Sequence, residues 1–415
     1  MTSEILIMNK RAVALAADSA VTMGDPNHRH KIFTSSDKIF KLTKNNPIGI
    51  MIYNKNEFMG IPLEVAIKNY YDKCDKVFPT LHECAEDFLH YLRDFKVSEE
   101  MEDLSLLMMI HSITKRIIDS IHDEDAKLDY VSIIRRKLDG LEETEYFVED
   151  PEDHISIIKQ EHRDLFQRCY DSLFDAEEPI DPEVKELLMQ YIPRALIEKD
   201  GRFGFSKTGL VITGYGSDDF FPRVTEVELD GRVCGSLRIW KCRADAVGDI
   251  KITRDDEGIQ SIKGIEASLK AYAQQDMVHV FLDGISDGME RSVNSFIVTI
   301  LKDVIDMIFQ KIGEEEHSDL RSELVQIVDE TVRQQIREVL VKMKKDNSRP
   351  MVKTISIMDK QELAVMAKTM VSLTAFKRKV SPEPETVGGP IDVAIITKSD
   401  GFVWVEKKEV IGKNL

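Results

Sequence analysis

The chain has few cysteines for its length, and they fit no covalent framework. Its 415 residues include five cysteines, and their odd number and spacings match neither a disulfide framework nor a CxxC metal site. The sequence also lacks a long apolar run, since LSLLMMIHSIT at 104–114 falls short of the roughly 20 residues that span a bilayer. Glu4 and alternating residues stand where a signal peptide has positive charge and an apolar block. We therefore expect a cytoplasmic protein with reduced thiols and no membrane partner.

Positive charge is also in deficit. Lysine and arginine number 56 against 74 aspartates and glutamates, for a net charge of −18, which argues against a general nucleic-acid partner. The glycines of GYGSDD and GISDG lack the GK[ST] of a phosphate loop. His28 and His30 form an HxH pair without a third ligand in view. We expect no cofactor and no metal.

The order of elements lacks βαβα alternation and internal repeats. Four strands open the chain: SEILIM and RAVALAA, joined at Asn9-Lys10, then KIFKL and IGIMIY as a second pair. RAVALAA is apolar at nearly every position, as in a strand covered on both faces. Helical patterns, strands, helices and a last hairpin follow. This order favours sheet-on-sheet packing flanked by helices.

Local signals place several boundaries. A capping box at Thr80–Glu83 predicts a helix with an apolar face. Asp181-Pro182 predicts the start of another helix, which we expect Pro193 to stop. Asp230-Gly231 predicts the turn of a hairpin between PRVTEVEL and RVCGSLRIW, and Ser399–Gly401 the turn of the last hairpin. Helical periodicity also covers 324–343 and 361–376.

The amino terminus carries the most informative chemistry. If Met1 is removed, Thr2 presents a hydroxyl and an α-amine on one residue, and that amine can act as general base for the hydroxyl. Its reference pKa of about 7.7–8.0 leaves a neutral fraction near pH 7. A nearby cation would assist deprotonation, and a buried cation needs a carboxylate. Asp18, which ends the second strand, and Lys38, which begins the third, are the candidates.

This segment resembles the amino terminus of proteasome β subunits and of bacterial HslV, which are N-terminal nucleophile hydrolases. Thr2 matches the family's nucleophile, the AADS at 16–19 its acidic motif, and Lys38 its lysine. VITGYGSDDFFPRVTEVELDGRVCG and GGPIDVAIITKSDGFVWVEKK resemble the family's later strands and final hairpin. The resemblance implies an α+β fold, a four-layer αββα sandwich, and a threonine peptidase or amidohydrolase.

The resemblance also implies supporting residues. The backbone N–H of Tyr53, where the family usually has glycine, would form part of the oxyanion hole, and Val21, Met51 and Lys55 would line the substrate pocket. Ser19 belongs to the acidic motif.

The family's late Asp-x-x-Ser-Gly-Gly appears here as Pro384-Glu-Thr-Val387-Gly-Gly. Gly388 and Gly389 therefore match, while the acid and serine are absent. Glu383 or Glu385 is the candidate substitute. Gln274–Asp276 stand near the place of the family's mid-chain serine.

We expect a single domain with its core in 1–73, 206–284 and 351–415. Two helical insertions interrupt this core, the first at 74–205 and the second at 285–350. The resemblance implies a peptide or protein substrate and a homo-oligomer, and leaves open an ATPase or other protein partner. Two alternatives remain: a catalytically inactive structural or regulatory subunit, and a partner-binding scaffold that acts through the insertions.

Overall fold

The computed structural model describes most of the chain. It covers residues 2–23, 31–33, 36–123, 130–141, 145–173, 182–199, 207–248, 250–255, 258–312, 318–381 and 387–408. The predictions for His28, His30, Asp181, Glu383 and Glu385 lie outside these residues.

The protein is α+β, with antiparallel strand pairs and many helices. The strands are β1 (Ser3–Asn9), β2 (Val13–Asp18), β3 (Val21–Met23), β4 (Lys31–Phe33), β5 (Ile39–Lys41), β6 (Ile48–Asn54), β7 (Glu57–Phe58), β8 (Ile61–Pro62), β9 (Thr208–Gly214), β10 (Arg223–Val233), β11 (Ser236–Ala246), β12 (Ile250–Asp255), β13 (Gly258–Gly264), β14 (Ala267–Ala273), β15 (Ile391–Thr397) and β16 (Gly401–Glu406).

The helices are concentrated in two stretches of the chain. They are α1 (Leu63–Lys73), α2 (Leu81–Arg93), α3 (Glu99–Asp123), α4 (Tyr130–Asp139), α5 (Pro151–Glu161), α6 (Arg163–Leu173), α7 (Pro182–Ile197), α8 (Asp276–Asp283), α9 (Asp287–Ile312), α10 (Ser318–Ile327), α11 (Arg333–Ile357) and α12 (Lys360–Val380), with a π-helical segment at Val328–Val332.

The chain divides into two compact units. Unit 1 comprises 1–36, 247–395 and 403–415, and unit 2 comprises 37–246 and 396–402. The predicted first insertion lies in unit 2 and the second in unit 1.

A five-stranded sheet in the order β14-β1-β2-β15-β16 supplies most of the framework of unit 1. β1 pairs antiparallel with β2 and with β14, placing Glu4 opposite Ala17 and Tyr272. Every residue of β1 and β2 is buried, as the apolar run at 12–17 predicts. Helix α12 covers one face of this sheet, packing Leu363, Ala367 and Val371 in the cluster that contains the side chains of β1 and β2.

Unit 2 contains a second five-stranded sheet, in the order β11-β10-β9-β6-β5. The predicted pairing of KIFKL with IGIMIY is confirmed, with Ile39 opposite Met51. Helices α1 and α2 pack against this sheet. The predicted N-cap is present, since the Glu83 N–H donates to Thr80 Oγ1 over 3.3 Å. The predicted capping box is only half formed, because the Glu83 side chain accepts from the Thr80 hydroxyl over 3.0 Å and not from the Thr80 N–H.

Helices α3 to α7 of the first insertion build their own hydrophobic core. Its fully buried side chains come from several helices, among them Ile110 and Ile113 of α3, Phe166 of α6 and Ile192 of α7. This core buries most of the apolar side chains of its five helices.

Pro193 does not stop α7, and that prediction is wrong. The helix runs through Pro193 to Ile197. Proline lacks the N–H that a helix interior uses, at a cost of about 3 kcal/mol. Ile192, Leu196 and Ile197 are buried on the same helix, and their burial offsets that cost.

Asp230-Gly231 does not form the hairpin turn, and that prediction is also wrong. β10 continues to Val233, and the turn is at Cys234-Gly235, with φ of 48° and 75°. Positive φ at both central residues is the signature of a type I′ turn. Asp230 and Gly231 instead form a bulge, where the register shifts between Leu229 and Arg232.

In the described part of the chain, no helix is long and apolar enough to cross a bilayer.

Candidate functional site

Thr2 lies directly before β1 and is 5% exposed. Its carbonyl accepts a hydrogen bond from the N–H of Gln274 over 3.1 Å. Its hydroxyl is buried and has no hydrogen-bond partner among the described residues. Since buried hydroxyls are usually bonded, an unbonded one at a fixed strand end is unusual. The Thr2 backbone is therefore held while its hydroxyl stays available.

Asp18 is fixed at the end of β2 by two backbone donors. The N–H of Ser3 donates to Oδ1 over 3.1 Å, and the N–H of Gly388 donates to Oδ2 over 2.9 Å. The carboxylate is 1% exposed, so these charge-assisted bonds offset its desolvation. Asp18 therefore ties the residue after Thr2 to the glycine pair before β15. The structure brings Thr2, Asp18 and Gly388 together within unit 1.

A buried lysine that the sequence reasoning missed supports Ser19. Lys408 Nζ donates to Ser19 Oγ over 3.1 Å, to the Ser36 carbonyl over 2.7 Å and to Asp392 Oδ2 over 2.9 Å. The Lys408 side chain is 10% exposed and that of Asp392 is 4% exposed. The signal was available: Asp392 is an acid inside an apolar strand, and a buried acid needs a cation.

The chain just after the glycine pair also bonds Ser19. Ser19 Oγ donates to the carbonyl of Pro390 over 2.8 Å. Gly389, between Gly388 and Pro390, has φ of 81°, a conformation that favours glycine. Of the predicted supporting residues, Gly388 thus bonds Asp18 of the acidic motif, and Ser19 of that motif bonds Pro390.

Gln274 connects Thr2 to helix α12. Its side-chain oxygen accepts from Arg378 Nε over 2.8 Å and also from Nη2. Next to it, Asp276 pairs with Lys377 at 2.8 Å. Burial pushes the pKa of Asp276 upward, but the hydrogen bond and charge of Lys377 outweigh it and hold that pKa below its ordinary value. The stretch 274–276 therefore carries a polar network bonded to the Thr2 backbone.

Lys38 belongs to unit 2. It directly precedes β5 and is 4% exposed. Its carbonyl accepts from the N–H of Ile52 over 2.9 Å. This bond fixes the backbone of Lys38 against β6.

Tyr53 is buried in β6, and its side chain is committed to packing. Its hydroxyl donates to Glu228 Oε1 over 3.0 Å. Its ring covers Gly209, where an added Cβ would come within 2.1 Å of the ring. Because Ile52 donates toward β5 and adjacent N–H groups of a strand point to opposite sides, the Tyr53 N–H points toward β9. The Asn54 N–H points back toward the β5 side.

The predicted pocket residues differ in their surroundings. Met51 is fully buried opposite Ile39, and the side chain of Val21 lies outside the described part of the chain. The Lys55 side chain is 39% exposed, 3.9 Å from Glu57. Lys55 lines a cavity of about 380 Å³ together with Met59, Met101 and other side chains from α3.

The described residues contain no group of three or more His, Cys, Asp or Glu side chains that could hold a metal ion.

No model of a known protein family matches the chain. A comparison with curated proteins gives no significant match.

Proposed function

We propose that this chain is a proteasome-like N-terminal threonine hydrolase that cleaves amide bonds in peptides. The observation that carries the proposal is the buried, unbonded hydroxyl of Thr2, the residue directly before Ser3, whose N–H holds the Asp18 carboxylate. The proposal includes the four-layer αββα sandwich that the resemblance implies.

In this mechanism, removal of Met1 frees the Thr2 amine. The amine takes the proton of the Thr2 hydroxyl as Oγ1 attacks the substrate carbonyl, and a tetrahedral intermediate forms. The protonated amine then gives its proton to the leaving nitrogen, and an acyl-enzyme remains. Water, deprotonated by the same amine, attacks the acyl carbonyl and releases the acid. Hydroxyl and amine are thus both regenerated.

The remaining residues act by charge and position. The proposal gives Lys38 the role of favouring the neutral amine and the developing alkoxide, and gives Asp18 the role of orienting that lysine. Backbone N–H groups stabilise the oxyanion. The resemblance gives that role to the Tyr53 N–H, which points toward β9 within unit 2.

The test begins with the intact mass of the chain, purified without an amino-terminal tag. Loss of Met1 is required, because an acylated nitrogen cannot act as base. The processed chain is then assayed on a fluorogenic peptide library and treated with a threonine-directed electrophile. We expect a covalent adduct on Thr2.

Three variants separate the roles of Thr2. Thr2→Ala should lower kcat at least about 10³-fold, as loss of a nucleophile does, whereas Thr2→Ser should keep measurable turnover. Thr369→Ala, an exposed threonine on α12, is the matched control and should behave as wild type. Retention of Met1, or equal turnover in Thr2→Ala, would show that the mechanism is wrong.

One observation favours the scaffold alternative. Helix α9 of the second insertion exposes several large apolar side chains, which is typical of an interaction surface. A scaffold would keep its function in Thr2→Ala and lose it when that surface is altered.

An ATPase partner remains a proposal that pull-down with the processed chain can test.

A further inference from the structure

Helix α9 presents its apolar side to solvent. Met289, Phe296, Ile300 and Met307 are 60%, 66%, 43% and 55% exposed. At about 100° per residue, these four fall within roughly 20° of one line along the helix. We call them the apolar strip, and it extends over about 27 Å at 1.5 Å per residue.

The opposite side of α9 faces the rest of unit 1. Val298 and Phe309 are 3% and 1% exposed. On that side Lys302 pairs with Asp329 at 2.6 Å, and Asp306 pairs with Arg321 at 2.7 Å. An ordinary surface helix buries its apolar stripe and exposes its charges. Here charged side chains bind the chain's own helices while the strip remains exposed.

The exposed apolar area reaches the lower limit of what a specific interface needs. Val304 adjoins the strip, about 60° around the helix from it, and is 40% exposed. With the strip it presents on the order of 500 Å² of surface, so two copies would bury about 1,000 Å² in total.

The spacing of the strip is symmetric along the helix. Met289 and Met307 each lie nine residues from position 298, and Phe296 and Ile300 each lie two residues from it. A two-fold axis through that point would place Phe296 of one copy against Ile300 of the other, and Met289 against Met307. Such self-complementarity is what an isologous interface requires.

We propose that the apolar strip of α9 is a homodimer interface, in which the α9 helices of two copies pack antiparallel. The occupant is a second copy of this chain, because the strip runs along most of α9, has the spacing of self-pairing, and gives two copies the roughly 1,000 Å² that a specific interface needs. This surface is independent of Thr2, so the proposal stands or falls apart from the hydrolase chemistry.

The first experiment measures the mass of the full chain in solution by sedimentation and light scattering. Wild type should contain an even number of copies at micromolar concentration. Phe296→Asp places a charge at the centre of the interface, and we expect it to halve that mass, since a buried unpaired charge is strongly unfavourable.

Phe220→Asp is the matched control, because Phe220 is 87% exposed in unit 2. It should keep the wild-type mass. Circular dichroism of both variants confirms that they are folded. A monomeric wild type, an unchanged mass for Phe296→Asp, or an equal loss in both variants would overturn the proposal.

Cysteine cross-linking then tests the antiparallel arrangement. Cys242, which is exposed, is first replaced by serine. Met289→Cys combined with Met307→Cys should give an oxidised dimer, because each cysteine faces the other type across the axis. Met289→Cys alone should not, since the two copies of residue 289 lie about 27 Å apart along the helices. A dimer from the single variant would indicate parallel packing and overturn the arrangement.

Discussion

Helix α3 of the first insertion and helix α9 of the second have nearly equal lengths, 25 and 26 residues. α3 buries Ile110, Ile113 and Ile117, which are at most 2% exposed. α9 leaves Phe296 and Ile300 exposed. The surroundings account for the difference, because α3 packs within a five-helix core, whereas α9 pairs its charges with α10 and with the π-helical segment.

The two insertions differ in how much of their apolar surface the chain itself covers. The first buries most of its apolar residues within the chain, with Leu104 and Met108 as exposed exceptions on α3. The second contributes Val298, Phe309 and Val328 as buried apolar residues and exposes many others along α9, α10 and α11. Apolar area left in water is available for association.

The buried ion pair where the first insertion meets the sheet should give the largest effect. Arg238 and Asp230 side chains are 3.1 Å apart, and each is 1% exposed. Burial raises the pKa of Asp230 and lowers that of Arg238, in each case against the effect of the partner's charge. We expect Arg238→Ala to lower the free energy of unfolding by about 3–5 kcal/mol, because it leaves a buried charge without its partner.

Urea unfolding measures this loss. Arg243→Ala, on the exposed part of the same strand, is the control and should stay within about 0.5 kcal/mol of wild type. Arg238 also lies 5.0 Å from the Trp240 ring centre, so Arg238→Lys, which keeps the charge and loses the planar contact, should be intermediate. A small effect of Arg238→Ala would mean that this junction is not a fixed part of the core.

The same substitution in the two insertions should give unequal effects. Ile110→Ala in α3 should cost about 2–5 kcal/mol, because it leaves a cavity in a closed core. Ile300→Ala in α9 should change unfolding by less than about 0.5 kcal/mol when measured in the Phe296→Asp background, where association is removed. Equal costs would show that the α9 strip is packed within its own chain.

The charged side of α9 should give the smallest, pH-dependent effect. Hydrogen bonds from Lys302 and Arg333 hold the pKa of Asp329 below its ordinary value of 3.8. A depressed carboxyl pKa adds stability above the unfolded-state pKa, and this stability is lost as the pH falls through the folded-state pKa. Asp329→Asn should therefore be slightly destabilising at pH 7, and equal to wild type in strong acid. A difference that is the same at both pH values would exclude this ionic contribution.

Local signals predicted much of the secondary structure. The N-cap at Thr80, the pairing of β5 with β6 and the burial of β2 depend on neighbouring residues and were correctly predicted. Pro193 and Asp230-Gly231 were wrongly predicted because tertiary packing outweighed a local preference. A buried face keeps α7 helical past its proline. Because the hairpin turns at Cys234-Gly235, Asp230 lies in a bulge of β10. From there its side chain pairs with Arg238.

In the candidate site, too, some residues were identifiable from the sequence and others were not. Thr2 and Asp18 were identifiable from residue type and position in the sequence, and strand pairing between β1 and β2 brings them together. Lys408 and Asp392 were not identified, because they support Ser19 from near the other end of the chain. Ser19 and Lys408 are 389 residues apart in the chain, and a contact at that separation produces no periodic pattern in the sequence.

Residue type and spacing indicated where most strands and helices form, which residues are apolar, and that Thr2 is a candidate nucleophile. These properties follow from side-chain size, charge and spacing along the chain. The tertiary structure alone decided which side of each helix is covered, since α3 and α9 are both amphipathic and burial depends on the neighbours each finds. It also decided which donors hold Asp18, because a buried carboxylate takes whatever N–H groups the fold brings within reach.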